Sequence, residues 1–400
     1  MQKIKLKNGL TVIYKERDTA SVAVEILVKV GSNDEKEDER GISHFIEHML
    51  FEGTEKRGNS QLIANEIEKI GGELNAYTSN ERTCFFVKVL KKHVDIALDV
   101  LADILQNPLL REEDIEKEKK IVGKEIDMVN DEPRFYQWVL FEKNIFEKHP
   151  AKFPTYGSKK VIAGLNRKKV DEYYSKFYQP NNMVVVITGK VKDWKRKVEK
   201  SFVFKGGPGI KRGKVLEPIS RKNKIKKEKR KIANSYMVLG YKTVPRKHPD
   251  SYILDVVNAI LGRGQSGWMF NEIRAKRGLA YEVGTQHACD QSCGFFAAYL
   301  SCDRKNLNLT QKLILEQLNK VKSVSKQELQ EAKDYLEGDY LLDIEDNQKL
   351  ADNLCFWEQV GDAGMMERYI PKIKKVTLVE VKKVVDKYFK NYCMVIVEGK

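Results

Sequence analysis

The sequence predicts an α+β protein built from two similar halves, and three observations lead to this prediction. Segments of alternating apolar residues, typical of strands, occur in both halves beside segments of helical periodicity. A helix, an asparagine-containing turn and a Met-Val strand occur at 170–190 and again, about 210 residues later, at 379–400. Between the halves lies a basic stretch with a glycine–proline cluster, which indicates a linker.

The basic residues are concentrated in that stretch. The net charge is +15, and residues 190–231 hold 18 Lys or Arg against 4 Asp or Glu. No aromatic side chain interleaves the charges between 205 and 228, so we interpret the run as an exposed linker and consider nucleic-acid binding unlikely. We therefore predict an N-terminal domain at 1–204, a linker at 205–228 and a C-terminal domain at 229–400.

The remaining composition is that of a globular protein. Hydrophobic residues make up 42% of the chain. The sequence contains no run of about 18 apolar residues, so we predict no membrane span. The N-terminus enters a strand pattern without a leader sequence, so we expect a cytoplasmic location. Six scattered cysteines do not form a disulfide framework, and we expect Cys289 and Cys293, four apart, to be core or turn thiols.

In the first half, strands and helices alternate. Segments 3–14 and 21–30 are predicted to form a strand pair around a turn. Ser60 is predicted to be the N-cap of a helix at 61–70. We predict two antiparallel strands at 73–78 and 84–90, and the first of them is a candidate edge strand. Further helices are predicted at 92–106, 112–130, 135–147 and, capped by Asn166, up to 178, before a strand at 183–188.

In the second half, the same kinds of element are predicted. A glycine-rich loop at 262–267 lacks the spacing of a phosphate-binding or dinucleotide-binding loop. We predict strands at 229–241, 282–288 and 294–302, and helices at 251–261, 269–276, 304–322, 326–342 and 346–360.

Residues 41–51, GISHFIEHMLF, form the segment with the clearest chemical meaning. As a helix, it places an apolar stripe on one face and His44, Glu47 and His48 on another. Two imidazoles one turn apart can hold one metal ion, and the carboxylate between them can hold a water molecule. This H-x-x-E-H order is the inverse of the thermolysin-type H-E-x-x-H, although a chance placement on a solvated face is the alternative.

A third metal ligand is predicted in the helix at 112–130. Glu118 and Glu125 are seven residues apart, and each follows a residue of the apolar seam by three positions. A buried carboxylate needs a cation, a metal or a histidine partner, so the helix offers one ligand and one orienting carboxylate. The alternative is that both carboxylates lie at the edge of the seam and reach solvent.

Together these segments resemble the pitrilysin-type metallopeptidases, which include insulin-degrading enzyme and the mitochondrial processing peptidase. The matching segments cover 41–54, 74–78, 118–125, 180–189 and 261–281. The resemblance implies two duplicated α/β-roll domains, each a mostly antiparallel sheet with helices packed on one face. It also implies that a short, two-domain chain is half of a clamshell.

The resemblance also implies roles for individual residues. His44 and His48 would be zinc ligands, with Glu47 as the catalytic base. Glu125, 77 residues after His48, would be the third ligand, and Glu118 would orient a ligand. One zinc ion per chain is therefore expected, although cobalt or manganese could take its place.

Residues outside the metal motif are expected to bind the peptide substrate. An extended substrate would add to the edge strand that carries Asn75 and Ala76. In the second half, Arg274 and Tyr281 match the family's substrate-contacting pair, and their alternative is an ordinary surface arginine and a strand-start tyrosine. The loop LGRGQSGW has fewer glycines than that of the processing peptidase's partner subunit, which argues against an inactive partner chain.

The expected function is zinc-dependent endopeptidase action on short or unfolded peptides within a closed chamber. The open half-chamber implied by the resemblance predicts a homodimer, or a heterodimer with a homologous subunit that lacks the zinc motif. A second enzyme class with the same motif, S-ribosylhomocysteine lyase, has far shorter and unduplicated chains. A non-enzymatic scaffold subunit is the other alternative, but such subunits carry degraded motifs.

Overall fold

The computed structural model describes residues 1–204, 206–210, 212–213 and 215–400. The chain forms two compact units, each built from three separate segments. Unit 1 comprises Met1–Met128, Phe153–Gly213 and Leu342–Ala363, and unit 2 comprises Val129–Lys152, Lys214–Leu341 and Gly364–Lys400.

Each unit contains one β-sheet. The strands of unit 1 are β1 Gln2–Lys5, β2 Thr11–Lys15, β3 Ser21–Val28, β4 Glu73–Thr78, β5 Thr83–Leu90 and β6 Met183–Thr188. The strands of unit 2 are β7 Lys224–Lys229, β8 Ser235–Lys242, β9 Glu282–Cys289, β10 Gly294–Cys302 and β11 Cys393–Glu398.

Helices make up most of the rest of the described chain, and most predicted helices are confirmed. The first seven are α1 Ile42–Met49, α2 Ser60–Glu68, α3 Val94–Gln106, α4 Glu112–Asp131, α5 Pro133–Ile145, α6 Lys159–Ala163 and α7 Arg167–Phe177. The others are α8 Trp194–Ser201, α9 Asp250–Gly262, α10 Leu307–Lys320, α11 Lys326–Asp343, α12 Asn347–Val360, α13 Tyr369–Lys374 and α14 Leu378–Tyr388. Among the described residues, no helix combines the length and apolarity that crossing a bilayer requires.

The two sheets share one topology, as the internal repeat predicts. The strand order is β1-β2-β6-β3-β5-β4 in unit 1 and β7-β11-β8-β10-β9 in unit 2. In unit 1, β6 pairs in parallel with β2 and antiparallel with β3. In unit 2, the equivalent strand β11 pairs in parallel with β7 and antiparallel with β8. All other pairs are antiparallel, so the α+β class with two duplicated, mostly antiparallel sheets is confirmed.

The N-terminal strand prediction is partly wrong. Segment 3–14 forms the hairpin β1–β2 by itself, with Lys3 opposite Ile13. Strand β6 then lies between β2 and β3, so the two predicted partners do not pair. Local alternation identifies a strand but does not select its neighbour, which here comes from about 170 residues away.

Both faces of the sheet in unit 1 are covered by helices. On one face, Val22, Val24 and Ile26 pack in a core with helices of the N-terminal half, including α1 and α3. On the opposite face, α12 from the C-terminal half packs against β3 and β6. Conversely, α5 from the N-terminal half packs on β8 and β11 in unit 2. In unit 1, helices from the N-terminal half cover one face of the sheet, as expected, and α12 from the C-terminal half covers the other face.

The predicted linker contains a regular element. The segment KIKKEK forms β7, an edge strand that pairs in parallel with β11, and its side chains are almost all exposed. A charged edge strand lacks the apolar alternation by which strands are recognised, because lysines there prevent pairing with other chains. Residues 205, 211 and 214 of this predicted linker lie outside the described residues.

Candidate metal centre

Helix α1 is held by its buried N-terminus. Gly41 adopts φ 97°, and a Cβ there would lie 2.6 Å from the carbonyl oxygen of Tyr156, so glycine is required. The buried Glu35 carboxylate accepts hydrogen bonds from the backbone N–H groups of Gly41 and Ser43, at 2.8 and 2.9 Å. It thereby satisfies two of the donors that a helix start leaves unpaired.

The two faces of α1 separate as the sequence predicts. Ile42, Phe45, Ile46 and Met49 are buried in the core of unit 1. His44 and His48 lie on the other face and are each about one-fifth exposed. Their ring centroids are 4.7 Å apart, so two imidazoles one turn apart face the same space.

Helix α4 brings its two glutamates to these histidines. Glu125 Oε2 lies 3.6 Å from His48 Nε2 and 3.9 Å from His44 Nε2. Glu118 is buried, and its Oε2 lies 3.1 Å from His48 Nδ1. Glu118 is therefore buried, as its core-facing position predicts. Glu125 is about one-third exposed and lies at the edge of the apolar seam, as the alternative predicts.

The arrangement fits a tetrahedral metal ion. Ligands about 2.1 Å from zinc are separated from one another by about 3.3 Å. The ligand atoms of His44, His48 and Glu125 all lie within 4.8 Å of one another, and two of their separations are under 4 Å. Two imidazole nitrogens and one carboxylate oxygen are a common donor set for zinc that leaves a fourth position open.

The pKa values of the two histidines are shifted in opposite directions. Burial, together with the neighbouring His48, lowers the pKa of His44 to about 4, so its ring is neutral at pH 7 and keeps a lone pair for a metal. Burial also acts to lower the pKa of His48, but the hydrogen bond to Glu118 and the nearby carboxylates raise it overall. When His48 donates from Nδ1 to Glu118, its Nε2 faces Glu125 as an acceptor or ligand atom.

Glu47 lies beside this group and is held by the edge strand. Thr78, at the end of β4, donates a hydrogen bond of 2.5 Å to Glu47 Oε2. Burial raises the pKa of Glu47, and the Thr78 bond and the charge of His48 partly offset that rise. A carboxyl group with a raised pKa is suited to exchanging protons near neutral pH.

The predicted substrate strand is at the edge of the sheet. Strand β4, which contains Asn75 and Ala76, pairs only with β5 among the described strands. Its other side offers backbone donors and acceptors, and α1 packs beside it.

Arg274 and Tyr281 belong to unit 2. The Arg274 side chain is exposed and lies over the Phe270 ring, 5.0 Å from its centroid. Tyr281 is 58% exposed, and its hydroxyl is 3.4 Å from Asp303 Oδ1. Both side chains are exposed, and their substrate-contacting role stays a prediction.

Two residues of the site were not predicted from sequence. The sequence predicts Thr78 only as the end of the strand at 73–78, although a hydroxyl that closes the LNAYT segment is a usable signal. Glu35 lies in the loop before α1, and a glutamate six residues before Gly41 can cap the helix that follows. A smaller correction concerns α2, which is capped by Asn59 and not by Ser60, because the Asn59 side chain accepts from Leu62 N–H.

Comparisons with known proteins identify the family to which the chain is similar. The family described as "Insulinase (Peptidase family M16)" matches residues 11–158, and "Peptidase M16 inactive domain" matches residues 164–336. An uncharacterized zinc protease of Bacillus subtilis, YmxG, is 30% identical over 94% of this chain and 92% of its own length. An uncharacterized zinc protease of Rickettsia felis is 32% identical over 84% of this chain and 82% of its own length.

Two crystal structures show the same fold. A protease from Helicobacter pylori superposes with a TM-score of 0.94 at 24% identity, covering 99% of both chains. A peptidase M16 inactive domain from Pseudomonas fluorescens superposes with a TM-score of 0.90 at 19% identity, covering 100% of this chain and 98% of the other. Identities this low establish a shared fold and leave the chemistry to be argued from the site.

Proposed function

The chain belongs to the M16 family of peptidases, and from the side chains gathered in unit 1 we propose that it is a zinc-dependent endopeptidase. Its proposed substrates are short or unfolded peptides, cleaved within a closed chamber. The observation that carries the proposal is that His44 and His48 of α1 meet Glu125 of α4, which lies 77 positions after His48, around one small space.

His44, His48 and Glu125 would hold one zinc ion, and Glu118 would keep the His48 ring in position. When bound, zinc polarises the scissile carbonyl and lowers the pKa of water to about 7. Two imidazoles and one carboxylate are a donor set that zinc commonly takes, and cobalt or manganese could occupy the same ligands.

Glu47 is the proposed general base. Its carboxylate takes a proton from the attacking water and later delivers that proton to the amine leaving group. The hydrogen bond from Thr78 keeps the Glu47 carboxylate in a fixed position beside the attacking water. By their match to the family's substrate-contacting pair, Tyr281 and Arg274 would stabilise the oxyanion of the tetrahedral intermediate.

The peptide would bind along the free edge of β4. Adding a strand at Asn75 and Ala76 supplies main-chain hydrogen bonds that do not depend on the substrate's sequence. Because Thr78 on the same strand bonds to Glu47, a peptide paired with β4 would pass close to the base. This geometry suits extended chains and not folded ones.

We also propose that the chain acts as a dimer, with itself or with a homologous subunit that lacks the zinc motif. The support is the resemblance to the two-domain branch of the family and the single zinc motif per chain. A cytoplasmic location is supported by the six cysteines, none of which forms a disulfide. Light scattering tests the dimer, and a monomer that cleaves peptides at the full rate would contradict it.

The proposed function is tested with a fluorogenic peptide and the Glu47→Gln variant. We expect chelation to stop cleavage and added zinc to restore it. Glu47→Gln should keep its zinc but lose about 10³-fold in kcat, because a neutral amide cannot accept the proton. Glu113→Gln, an exposed change on α4, is the matched control and should cleave normally.

The ligand assignment is tested by metal analysis of Glu125→Gln. This variant should lose one equivalent of zinc while keeping its fold. Full zinc content in Glu125→Gln would refute the ligand assignment, and retained turnover in Glu47→Gln would refute the base.

A further inference from the structure

One glutamate of unit 1 is buried in a strand that is otherwise apolar. Glu25 lies in the middle of β3, within SVAVEILV, and is fully inaccessible to solvent. In the described part of the chain no cation donates a hydrogen bond to its carboxylate oxygens, and its polar neighbours are Asp352 and Cys84. An ionised carboxylate in this position is costly unless a cation neutralises it.

Glu25 lies on the sheet face that α12 covers. In the β3–β5 pair, Leu27 is opposite Cys84 and Glu25 is opposite Phe86, so the side chains of Glu25 and Cys84 point to the same face. The metal-centre helix α1 packs on the other face, with Val24 and Ile26. The surroundings of Glu25 are therefore separate from His44 and His48.

Helix α12 contributes two more groups with metal-binding chemistry. Asp352 and Cys355 are three residues apart, on one face of the helix. Ligand atoms of Glu25, Cys84 and Asp352 all lie within 4.8 Å of one another. The Cys355 thiol forms a hydrogen bond with the Cys84 thiol and so lies beside this group of three.

Arg82 is a cation beside this cluster, and its hydrogen bond goes to another group. Arg82 donates from Nε to the Tyr77 hydroxyl at 2.9 Å, and its guanidinium lies over the Phe356 ring. The Tyr77 hydroxyl in turn donates to Asp352. Asp352 therefore has a partner, and Glu25 remains a carboxylate beside a second carboxylate and two thiols.

The electrostatics of the cluster agree with a missing positive charge. Burial, with the neighbouring Cys84 and Asp352, raises the pKa of Glu25 well above its ordinary value. Burial acts to raise the pKa of Cys84 as well, but the bond with Cys355 and the charge of Arg82 lower it overall. A lowered thiol pKa favours metal binding, because the thiolate is the form of cysteine that holds an ion.

A similar cluster in unit 2 shows what a neutralised carboxylate looks like. Asp255, His287 and Cys289 also lie within 4.8 Å of one another. There, however, Arg246 binds both oxygens of Asp255, at 2.6 and 3.0 Å, and His287 bonds to one of them at 2.7 Å. Asp255 already has its counter-charge, so this second cluster needs no ion.

We propose that Glu25, Cys84 and Asp352 form a second metal site, which binds a zinc-like divalent ion and fastens α12 to the sheet of unit 1. One thiolate and two carboxylates supply three ligands, and the bond with Cys355 holds the Cys84 thiol in place. Because the site lies between α12 and β3, on the face away from His44 and His48, the ion acts in stability and not in catalysis. The buried ion enters as the chain folds.

The test uses cobalt, because thiolate ligands give cobalt(II) an intense near-ultraviolet charge-transfer band that histidine and carboxylate ligands do not give. The protein is produced in minimal medium with cobalt, and its metal content and absorption spectrum are measured. We expect two metal ions per chain and a thiolate band in the unmodified protein. One ion per chain without the band would overturn the proposal, and this measurement needs no variant to fold.

Variants assign the band to its residues. The His44→Ala/His48→Ala double variant should keep one metal ion and the full band, whatever its peptidase activity. Cys84→Ser and Glu25→Gln should lose that ion and lower the melting temperature, while Cys289→Ser, the matched buried thiol of unit 2, should retain it. A band that survives in Cys84→Ser would refute the site even if the proposed peptidase activity is fully established.

Discussion

The two units have the same sheet topology but use their polar residues differently. In unit 1, α1 follows β3, packs beside edge strand β4 and carries two histidines and a glutamate on its outer face. In unit 2, α9 follows β8 and packs beside edge strand β9. Helix α9 is buried along most of its length and contains no histidine.

The acidic residue of α9 has a structural role. Asp255 is fixed by Arg246, His287 and the Tyr369 hydroxyl, all within unit 2. In unit 1, by contrast, His44, His48 and Glu125 face one another without a cation among the described residues. The same sheet topology therefore allows polar side chains to be neutralised by one another, as in unit 2, or to remain available for a metal ion, as in unit 1.

The strongest test of this comparison removes one histidine from each unit. His48→Ala should lose one equivalent of zinc and at least about 10³-fold in kcat/KM, because a metal supplies several kcal/mol of transition-state stabilisation. His287→Ala should keep that zinc and its turnover but melt at a lower temperature, since it removes a buried hydrogen bond. Metal analysis, peptide hydrolysis and calorimetry measure the three quantities, and zinc loss in His287→Ala would break the contrast.

The next test removes the internal charge pair of unit 2. Asp255→Asn should lower the free energy of unfolding by about 3–5 kcal/mol, because it leaves Arg246 buried without its partner. Urea unfolding measures the change, and Asp334→Asn on the exposed face of α11 is the control.

The same pair predicts a dependence on pH. Burial acts to raise the pKa of Asp255, but Arg246 and His287 lower it well below its ordinary value. The stabilisation is therefore present above the unfolded pKa of about 3.9 and is lost as the pH falls towards the folded pKa. Below about pH 4, the unmodified protein should lose stability more steeply than Asp255→Asn, and parallel curves would contradict this assignment.

A third test asks whether unit 2 contributes to the chemistry of unit 1. Tyr281→Phe should lower kcat by about 10²-fold, the usual cost of losing one donor to an oxyanion. Its melting temperature should not change, because the side chain is exposed and its hydroxyl makes only a long contact. Tyr335→Phe on α11 is the control, and an unchanged kcat in Tyr281→Phe would remove this residue from the mechanism.

The smallest expected effect is that of Glu118→Gln. The amide can still accept a hydrogen bond from His48 Nδ1, but it carries no charge to support the imidazole. Zinc affinity should therefore fall by about 10-fold to 100-fold, and excess zinc should restore activity. Competition with a chromophoric chelator measures the affinity, and unchanged affinity would make Glu118 a packing residue only.

Short-range patterns in the sequence determined the local structure well. Periodicity placed α1, α3, α4 and α7 within a few residues, and Asn166 caps α7 as predicted. The repeat at 170–190 and 379–400 predicted the common topology of the two sheets. These features depend on neighbouring residues of the same segment, so a single sequence contains the information.

The site was predicted in part by spacing and in part by resemblance. The i, i+3, i+4 spacing placed His44, Glu47 and His48 on one face of α1. The equal seam positions of Glu118 and Glu125 did not show that the first would be buried and the second partly exposed. Their difference depends on where α4 crosses α1, which no pattern within α4 encodes.

The sequence by itself determined which segments are helices and strands, which faces are apolar, and which residues have metal-binding chemistry. Only the tertiary structure decided that β6 separates β2 from β3, that α12 and α5 exchange between the halves, and that Glu25 meets Asp352. The physical reason is that pairing and packing join groups hundreds of residues apart. Which partners neutralise a buried charge is therefore a property of the folded chain and not of any one segment.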